Sequence, residues 1–246
     1  MVVAGGADRE GRLDAVWRLR PEGGGIRIDT LPALPRAVEQ AAAARDGATL
    51  YLAGGLADEG PSTAVYACDT AGGGWIWRPI AELPRPMVQP VAAAHAGKLY
   101  VWGGYDPATR EALDCGYRYD TAAARWERIA GTPDGGTLTG AAAAILPSGQ
   151  LAVAGGVDRD VFTEALRLPP ERIRAYQSQP AGNYRFRSTV WLFDPATERW
   201  IPSGRSPATA RAGAALVATR RGVVLLGGEL KPGIRTAEHL RTSDLY

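Results

Sequence analysis

The dipeptide Gly-Gly closes an apolar run five times in this chain: VVAGG, LYLAGG, LYVWGG, LAVAGG and LLGG. The second glycines are Gly6, Gly55, Gly104, Gly156 and Gly228, at intervals of 49, 49, 52 and 72 residues. A repeat of this kind constrains a fold more than length does, because each unit buries its faces against its neighbours. Length alone, 246 residues, would favour two ordinary domains. A second marker travels with the first: an aromatic residue three before a fixed aspartate and a tryptophan six after it. The marker is Tyr66, Asp69 and Trp75 in VYACDTAGGGW, Tyr117, Asp120 and Trp126 in YRYDTAAARW, and Trp191, Asp194 and Trp200 in WLFDPATERW. The first unit keeps the frame in degenerate form, as Trp17, Arg20 and Ile26.

The residues of one unit predict four short strands. The apolar run before Gly-Gly is a buried strand, and the glycines allow close backbone approach. The strand after it alternates, as at Trp191 and Phe193, so it packs one face. Asp-Thr or Asp-Pro then starts a tight turn. A tryptophan strand returns, and Pro-rich connections (PALPRA, ELPRPM) lead to Ala-rich strands such as AAAARDG and VAAAHAG. Small residues suit a crowded inner strand. Four strands in about 49 residues is the pitch of a kelch-type β-propeller blade. The 31 glycines and 18 prolines, spread along the chain, fit many turns rather than disorder. The expected fold is all-β, one propeller domain over 1–246, with five blade units of about 1–35, 36–84, 85–133, 134–206 and 207–246.

Two of the five units are partial. The chain starts at a second strand, MVVAGG, and ends after a third, near SDLY. The two partial units overlap rather than complete one blade, and propellers close by completing it. The expectation is a chain missing N-terminal sequence, in preference to a closed five-bladed ring.

Other classes are excluded by composition. The net charge of +2 gives no reason to expect nucleic acid or a membrane surface as partner. No apolar run reaches transmembrane length, and the first ten residues lack the pattern of a secretory leader. Cys68 and Cys115 read as buried reduced thiols. His95 and His239, the two histidines, read as surface residues, too few for a copper oxidase on this fold.

Two loops break the repeat. The fourth unit carries an insertion over 157–189. PPERIRAY within it reads as a short helix opened by proline, and Arg159, Arg167, Arg172, Arg174, Arg185 and Arg187 make it basic. It reads either as a solvated excursion or as a lid adding positive potential over the channel mouth. The fifth unit carries LLGGELKPGIRT. There Glu229 follows the strand-ending glycines, and a Pro232-Gly233 turn brings Arg235 back towards it. The pair reads as an ion pair holding the loop, or as a general acid/base beside an anion-binding fork.

GGELKPGIRT, with SPATARAGAALV before it and GGVDRDVF at the insertion, resembles the kelch-type N-acetylneuraminate epimerases, the sialic acid mutarotases. FDPATERW and GYRYDTAAARW also match. The blade order resembles the cyclically permuted branch, with its N-terminal blade missing. The resemblance spans most of residues 30–246 and implies a six-bladed propeller that interconverts the α and β anomers of N-acetylneuraminate. It places the proton-accepting glutamate on Glu229 and the nearby arginine on Arg235, which would take the sugar carboxylate. It implies no cofactor and no metal, a small acidic sugar as partner, and a bacterial periplasmic setting. Arg36, Arg85 and Arg211, each at the entrance to a first strand, are candidate substrate contacts or structural arginines. Phe162 either walls the site or anchors the lid, as do Tyr184 and Phe186. The competing expectation is a non-catalytic propeller that binds a protein or an acidic sugar.

Overall fold

Alternating apolar residues and aspartate turns fold each repeat into a small antiparallel sheet. The computed structural model describes residues 1–220 and 222–241. Unit 2 is a four-stranded sheet of Ala42–Asp46, Thr49–Ala53, Val65–Asp69 and Trp77–Pro79, in that spatial order. Unit 3 repeats it with Val88–His95, Lys98–Asp106, Cys115–Asp120 and Arg125–Ala130. Unit 4 repeats it with Ala141–Ile145, Leu151–Gly155, Thr189–Asp194 and Arg199–Arg205. Among the described residues, unit 1 has three strands, Val2–Ala4, Val16–Glu22 and Gly25–Leu31. Unit 5 also has three, Ala215–Thr219, Gly222–Leu226 and His239–Arg241; the expected end near SDLY lies outside the described residues. The Ala-rich strands of units 2 to 5 lie side by side in order, and their small side chains permit the approach.

The sequence markers have separate structural causes. Asp69, Asp120 and Asp194 each accept a backbone N–H two residues on, from Ala71, Ala122 and Ala196, at 2.9 Å. That bond fixes the turn into the outer strand. The tryptophans clamp neighbouring units: Trp126 Nε1 donates to the Ala81 carbonyl of unit 2 at 2.8 Å, and Trp200 Nε1 to Ala130 of unit 3 at 3.4 Å. The double glycine marks where the next unit passes. A Cβ on Gly54 would stand 2.4 Å from the Met87 carbonyl oxygen of unit 3, and one on Gly55 would stand 2.5 Å from Glu39 oxygen. Gly55 N–H uses the space to donate to Met87 at 2.9 Å.

A further link runs along the entrances to the inner strands. Gln40, Gln89, Gly140 and Gly213 precede or open the inner strands of units 2 to 5, and all are left-handed, at φ 56, 56, 67 and 62°. Gln89 N–H donates to Gln40 O at 2.9 Å, Gly140 to Gln89 at 3.2 Å, and Gly213 to Gly140 at 2.8 Å. Between units 3 and 4 the core is aromatic: Trp102 meets Phe193 edge-on at 4.8 Å and Trp200 at 5.2 Å. Such pairs add about 0.5–1.5 kcal/mol each beyond their buried area. Both cysteines are free and buried.

The insertion holds more helix than its sequence suggested. α2, Pro170–Gln177, has proline in its first turn as expected, but α1, Arg159–Leu166, precedes it. Asp158 caps α1, accepting from Asp160 and Val161 N–H at 3.1 and 3.0 Å. The insertion is also less positive than a count of its arginines implies. Arg159, Arg167, Arg185 and Arg187 are paired with Asp114, Glu111, Asp158 and Asp134.

Candidate functional site

Glu229 is fixed from beneath by the strand entrance of its own unit. Its N–H donates to the Ala212 carbonyl at 2.7 Å, and its carbonyl accepts from Ala212 N–H at 3.0 Å. Next to Ala212, Arg211 is 2% exposed. Its Nε donates to Ala208 O at 2.9 Å, Nη1 to Gly227 O at 3.0 Å, and Nη2 to Glu238 Oε2 at 3.4 Å. The guanidinium therefore ties the segment before the inner strand to the glycines that carry Glu229.

Beyond Gly228 the chain makes a hairpin, Glu229–Lys231 against Ile234–Arg235, turned at Pro232-Gly233. Glu229 stands opposite Arg235 in register, and Arg235 Nε lies 3.4 Å from Glu229 Oε1. The two ends differ in freedom: the Glu229 side chain is 29% exposed and Arg235 81%. A half-buried carboxylate is thus paired with an exposed cation. Lys231 on the same hairpin donates to the Gln179 carbonyl of the insertion at 2.9 Å, so the insertion is strapped to the hairpin.

Between hairpin and insertion lies a cavity of about 260 Å³. Its lining includes Glu229 and Pro232 of the hairpin, Gln89 and Ala212 from the entrances to inner strands, and Phe162, Ile173, Tyr176, Tyr184 and Phe186 of the insertion. Phe162 walls the cavity, and its ring meets Tyr105 edge-on at 5.6 Å, anchoring α1 on unit 3. Burial, then the neighbouring Tyr184, pushes the Tyr176 phenol up to about 12, so it stays a neutral hydroxyl at physiological pH. Burial, then Glu39, raises Tyr105 as well. A carboxylate whose backbone is bonded on both sides, lining an aromatic-walled cavity together with a neutral amide, has the chemistry to exchange a proton with a hydroxyl. Among the described residues there is no cluster of three or more metal-binding side chains.

None of the candidate arginines lines this cavity, and Arg235 is tied to it through its ion pair with Glu229. Arg36 is exposed and lies 3.8 Å from Glu59, beside a separate groove that includes Tyr66 and Glu82. Arg85 is bonded to the buried Asp106 at 2.6 Å. Burial alone would raise the Asp106 carboxyl, but hydrogen bonds from Arg85 and from Ala108 and Thr109 N–H outweigh it and hold the group below the usual carboxylate range. A larger cavity of about 520 Å³ opens outward between α1 and α2 and includes Glu164 and Arg172. It does not include Glu229.

Sequence reasoning passed over Gln89 and Tyr105, although the repeat frame carries both. Gln89 falls 49 residues after Gln40. Tyr105 follows the second glycine of unit 3 as Glu229 follows that of unit 5.

A family model described as N-acetylneuraminate epimerase matches residues 31–243. An N-acetylneuraminate epimerase of Yersinia enterocolitica is 34% identical over 136 residues, which cover 51% of this chain and 34% of that protein. One of Brucella melitensis is 32% identical over 140 residues, 51% of this chain and 36% of that protein. A kelch domain-containing protein of Vibrio cholerae is 30% identical over 138 residues, 51% and 38%. The matches to these curated relatives span little more than a third of their length. The solved structure titled "Structure of YjhT" superimposes with a TM-score of 0.74 at 28% identity, over 85% of this chain and 62% of that one.

Proposed function

The chain belongs to the N-acetylneuraminate epimerase family, and on that premise we propose that it is a mutarotase interconverting the α and β anomers of N-acetylneuraminate at the Glu229 cavity. We take its units to be blades of a single six-bladed kelch-type propeller domain, a reading supported by inner strands that lie side by side. The observation that carries the functional reading is the hairpin itself: a half-buried carboxylate that lines a cavity of about 260 Å³ and lies 3.4 Å from an exposed guanidinium.

The chemistry follows from that pair. Glu229 takes the proton of the anomeric hydroxyl, whose electrons form the open-chain ketone as the ring C–O bond breaks. The ring oxygen leaves with a proton, delivered by Glu229 or through water. Rotation presents the other carbonyl face, and the reverse steps close the ring as the opposite anomer. The sugar's own carboxylate is anionic at neutral pH and competes with Glu229 for Arg235. A planar guanidinium can hold it through two parallel hydrogen bonds. Handing Arg235 to the substrate frees Glu229 to act as the base. The hydroxyls and amide of the sugar face neutral groups of the cavity, and the aromatic wall excludes water.

The test is equilibration of freshly dissolved α-anomer followed by NMR. The protein should speed it well above the buffer rate, and Glu229→Gln should return it to that rate with the fold intact. An unaccelerated reaction, or full activity in Glu229→Gln, sinks the proposal. A second reading, a propeller that only binds acidic sugars, is favoured by the Glu229–Arg235 ion pair acting as a loop staple. Saturable binding by the wild-type protein without acceleration would select it.

A further inference from the structure

Four successive units place a left-handed residue at the entrance to the inner strand, and the residue type there is not uniform. Units 4 and 5 use Gly140 and Gly213, which take φ of 67 and 62° without strain. Units 2 and 3 use Gln40 and Gln89 at φ 56°, a conformation that costs a residue with a Cβ. The backbone task is shared, since Gln89, Gly140 and Gly213 N–H each donate to the carbonyl of the corresponding residue one unit before. Glycine would perform it as well. The glutamine side chains therefore need a reason that the backbone does not supply.

Their placement gives one. Gln89 lines the cavity, together with Ala212, Glu229 and Phe162. Its Nε2 donates to Gln40 Oε1 at 2.8 Å, which uses one N–H and fixes the amide plane. Its backbone N–H and carbonyl are both bonded to neighbouring units, so the residue cannot shift bodily. Among the described residues no donor bonds its Oε1, which leaves it to accept from a ligand. The amide is neutral, so it does not repel a carboxylate-bearing sugar as a second acid would.

We propose that Gln89 is a substrate-binding residue of the Glu229 cavity, accepting a hydrogen bond from a hydroxyl or amide N–H of the sugar acid. Gln40 is the positioning residue that orients its amide. This rests on the mutarotase reading and deepens it. The role differs from those of Glu229 and Arg235: it reads a neutral part of the sugar and does not touch the proton in flight.

The test uses Gln89→Gly and Gln40→Gly, because glycine is what the fold already tolerates at this position in two other units. Each variant is compared with the wild-type chain in N-acetylneuraminate anomerisation, in its melting temperature, and in calorimetric titration on a Glu229→Gln background. Gln89→Gly should raise KM and Kd about tenfold, one hydrogen bond's worth, with kcat within about threefold. Its melting temperature should be unchanged or higher, because strain is relieved. Gln40→Gly should weaken binding about two- to threefold in the same direction. A sugar acid bearing hydrogen in place of the acetamido group separates the two donors: the loss on Gln89→Gly disappears with that analogue if the amide N–H is read, and persists if a hydroxyl is read. Unchanged KM and Kd in Gln89→Gly, with a lowered melting temperature, would assign the glutamines to structure alone and overturn the proposal. Glu229→Gln titration tells this failure from that of the mutarotase reading: there the sugar still binds and only the Gln89 dependence is missing. If the wild-type chain neither binds nor turns over the sugar, both fall together.

Discussion

Replacing Arg211 with methionine separates two accounts of that residue. Methionine keeps much of the stem's packing and removes the guanidinium. Two of the lost hydrogen bonds, to the Ala208 and Gly227 carbonyls at 2.9 and 3.0 Å, involve a donor that is 2% exposed. Bonds from a charged donor contribute about 1.5–3 kcal/mol each. The third, to exposed Glu238 at 3.4 Å, is long and adds less than about 1 kcal/mol. Removing the guanidinium should therefore cost about 3–5 kcal/mol, the usual range for breaking a buried ionic group's contacts. For a chain of this size that lowers the melting temperature by roughly 10 °C. Activity should fall as well, through kcat, because the freed glycines let Glu229 drift; a displacement of about 1 Å can cost on the order of a hundredfold. Thermal and urea melts monitored by tryptophan fluorescence, with anomerisation kinetics on the same preparations, read both effects. If Arg211→Met melts within about 2 °C of wild type and its KM rises while kcat holds, the loop-holding argument is refuted. Arg211 would then be a direct contact to the sugar carboxylate.

Two further outcomes follow from the ion pairs. Arg235→Ala should raise KM at least about tenfold while leaving the melting temperature within about 2 °C, since exposed ion pairs contribute under about 1 kcal/mol; an unchanged KM would remove it from substrate binding. Asp106 is held below its ordinary range when folded, so its contribution is complete above the unfolded value of about 3.9 and is lost as pH falls through the folded value. Urea midpoints should drop between about pH 4 and 2 more steeply for wild type than for Asp106→Asn, and superimposable curves would show that the Arg85 pair adds nothing.

What could be read from the sequence was whatever the chain repeats. Gly54-Gly55, Asp120 and Trp126 recur because each answers a constraint met once per unit: a passing carbonyl, a turn, a clamp to the neighbour. The hairpin was legible for a local reason, since Pro232-Gly233 dictates the turn that sets Arg235 opposite Glu229. What stayed hidden depends on contacts far apart in sequence. Arg211 looked like an available guanidinium, and only folding brings the Gly227 carbonyl to it. Arg85 and Arg36, in Leu-Pro-Arg rather than Thr-Ala-Arg, stand at the same place before an inner strand yet meet Asp106 and Glu59, partners that belong to their own surroundings. α1 was missed although Asp158 is a usable cap, because VFTEALRL has no proline to announce it as PPERIRAY does. Gln89 was overlooked because its oddity is a backbone angle, and composition does not display angles.

The insertion sits between two strands that stay hydrogen-bonded to each other whatever lies between them. Leu151, Ala152 and Val153 pair with Phe193, Leu192 and Trp191 across its base. The ladder therefore sees only the two ends of the excursion, and lengthening or shortening a loop changes its closure entropy slowly. The proposed base and carboxylate clamp sit on a different unit. Selection could exchange one whole 157–189 segment for another, recutting the aromatic wall to fit a different sugar acid, while the proton-moving carboxylate kept its place. Substrate range and reaction type would then be inherited on separate pieces of one chain, free to diverge at different rates.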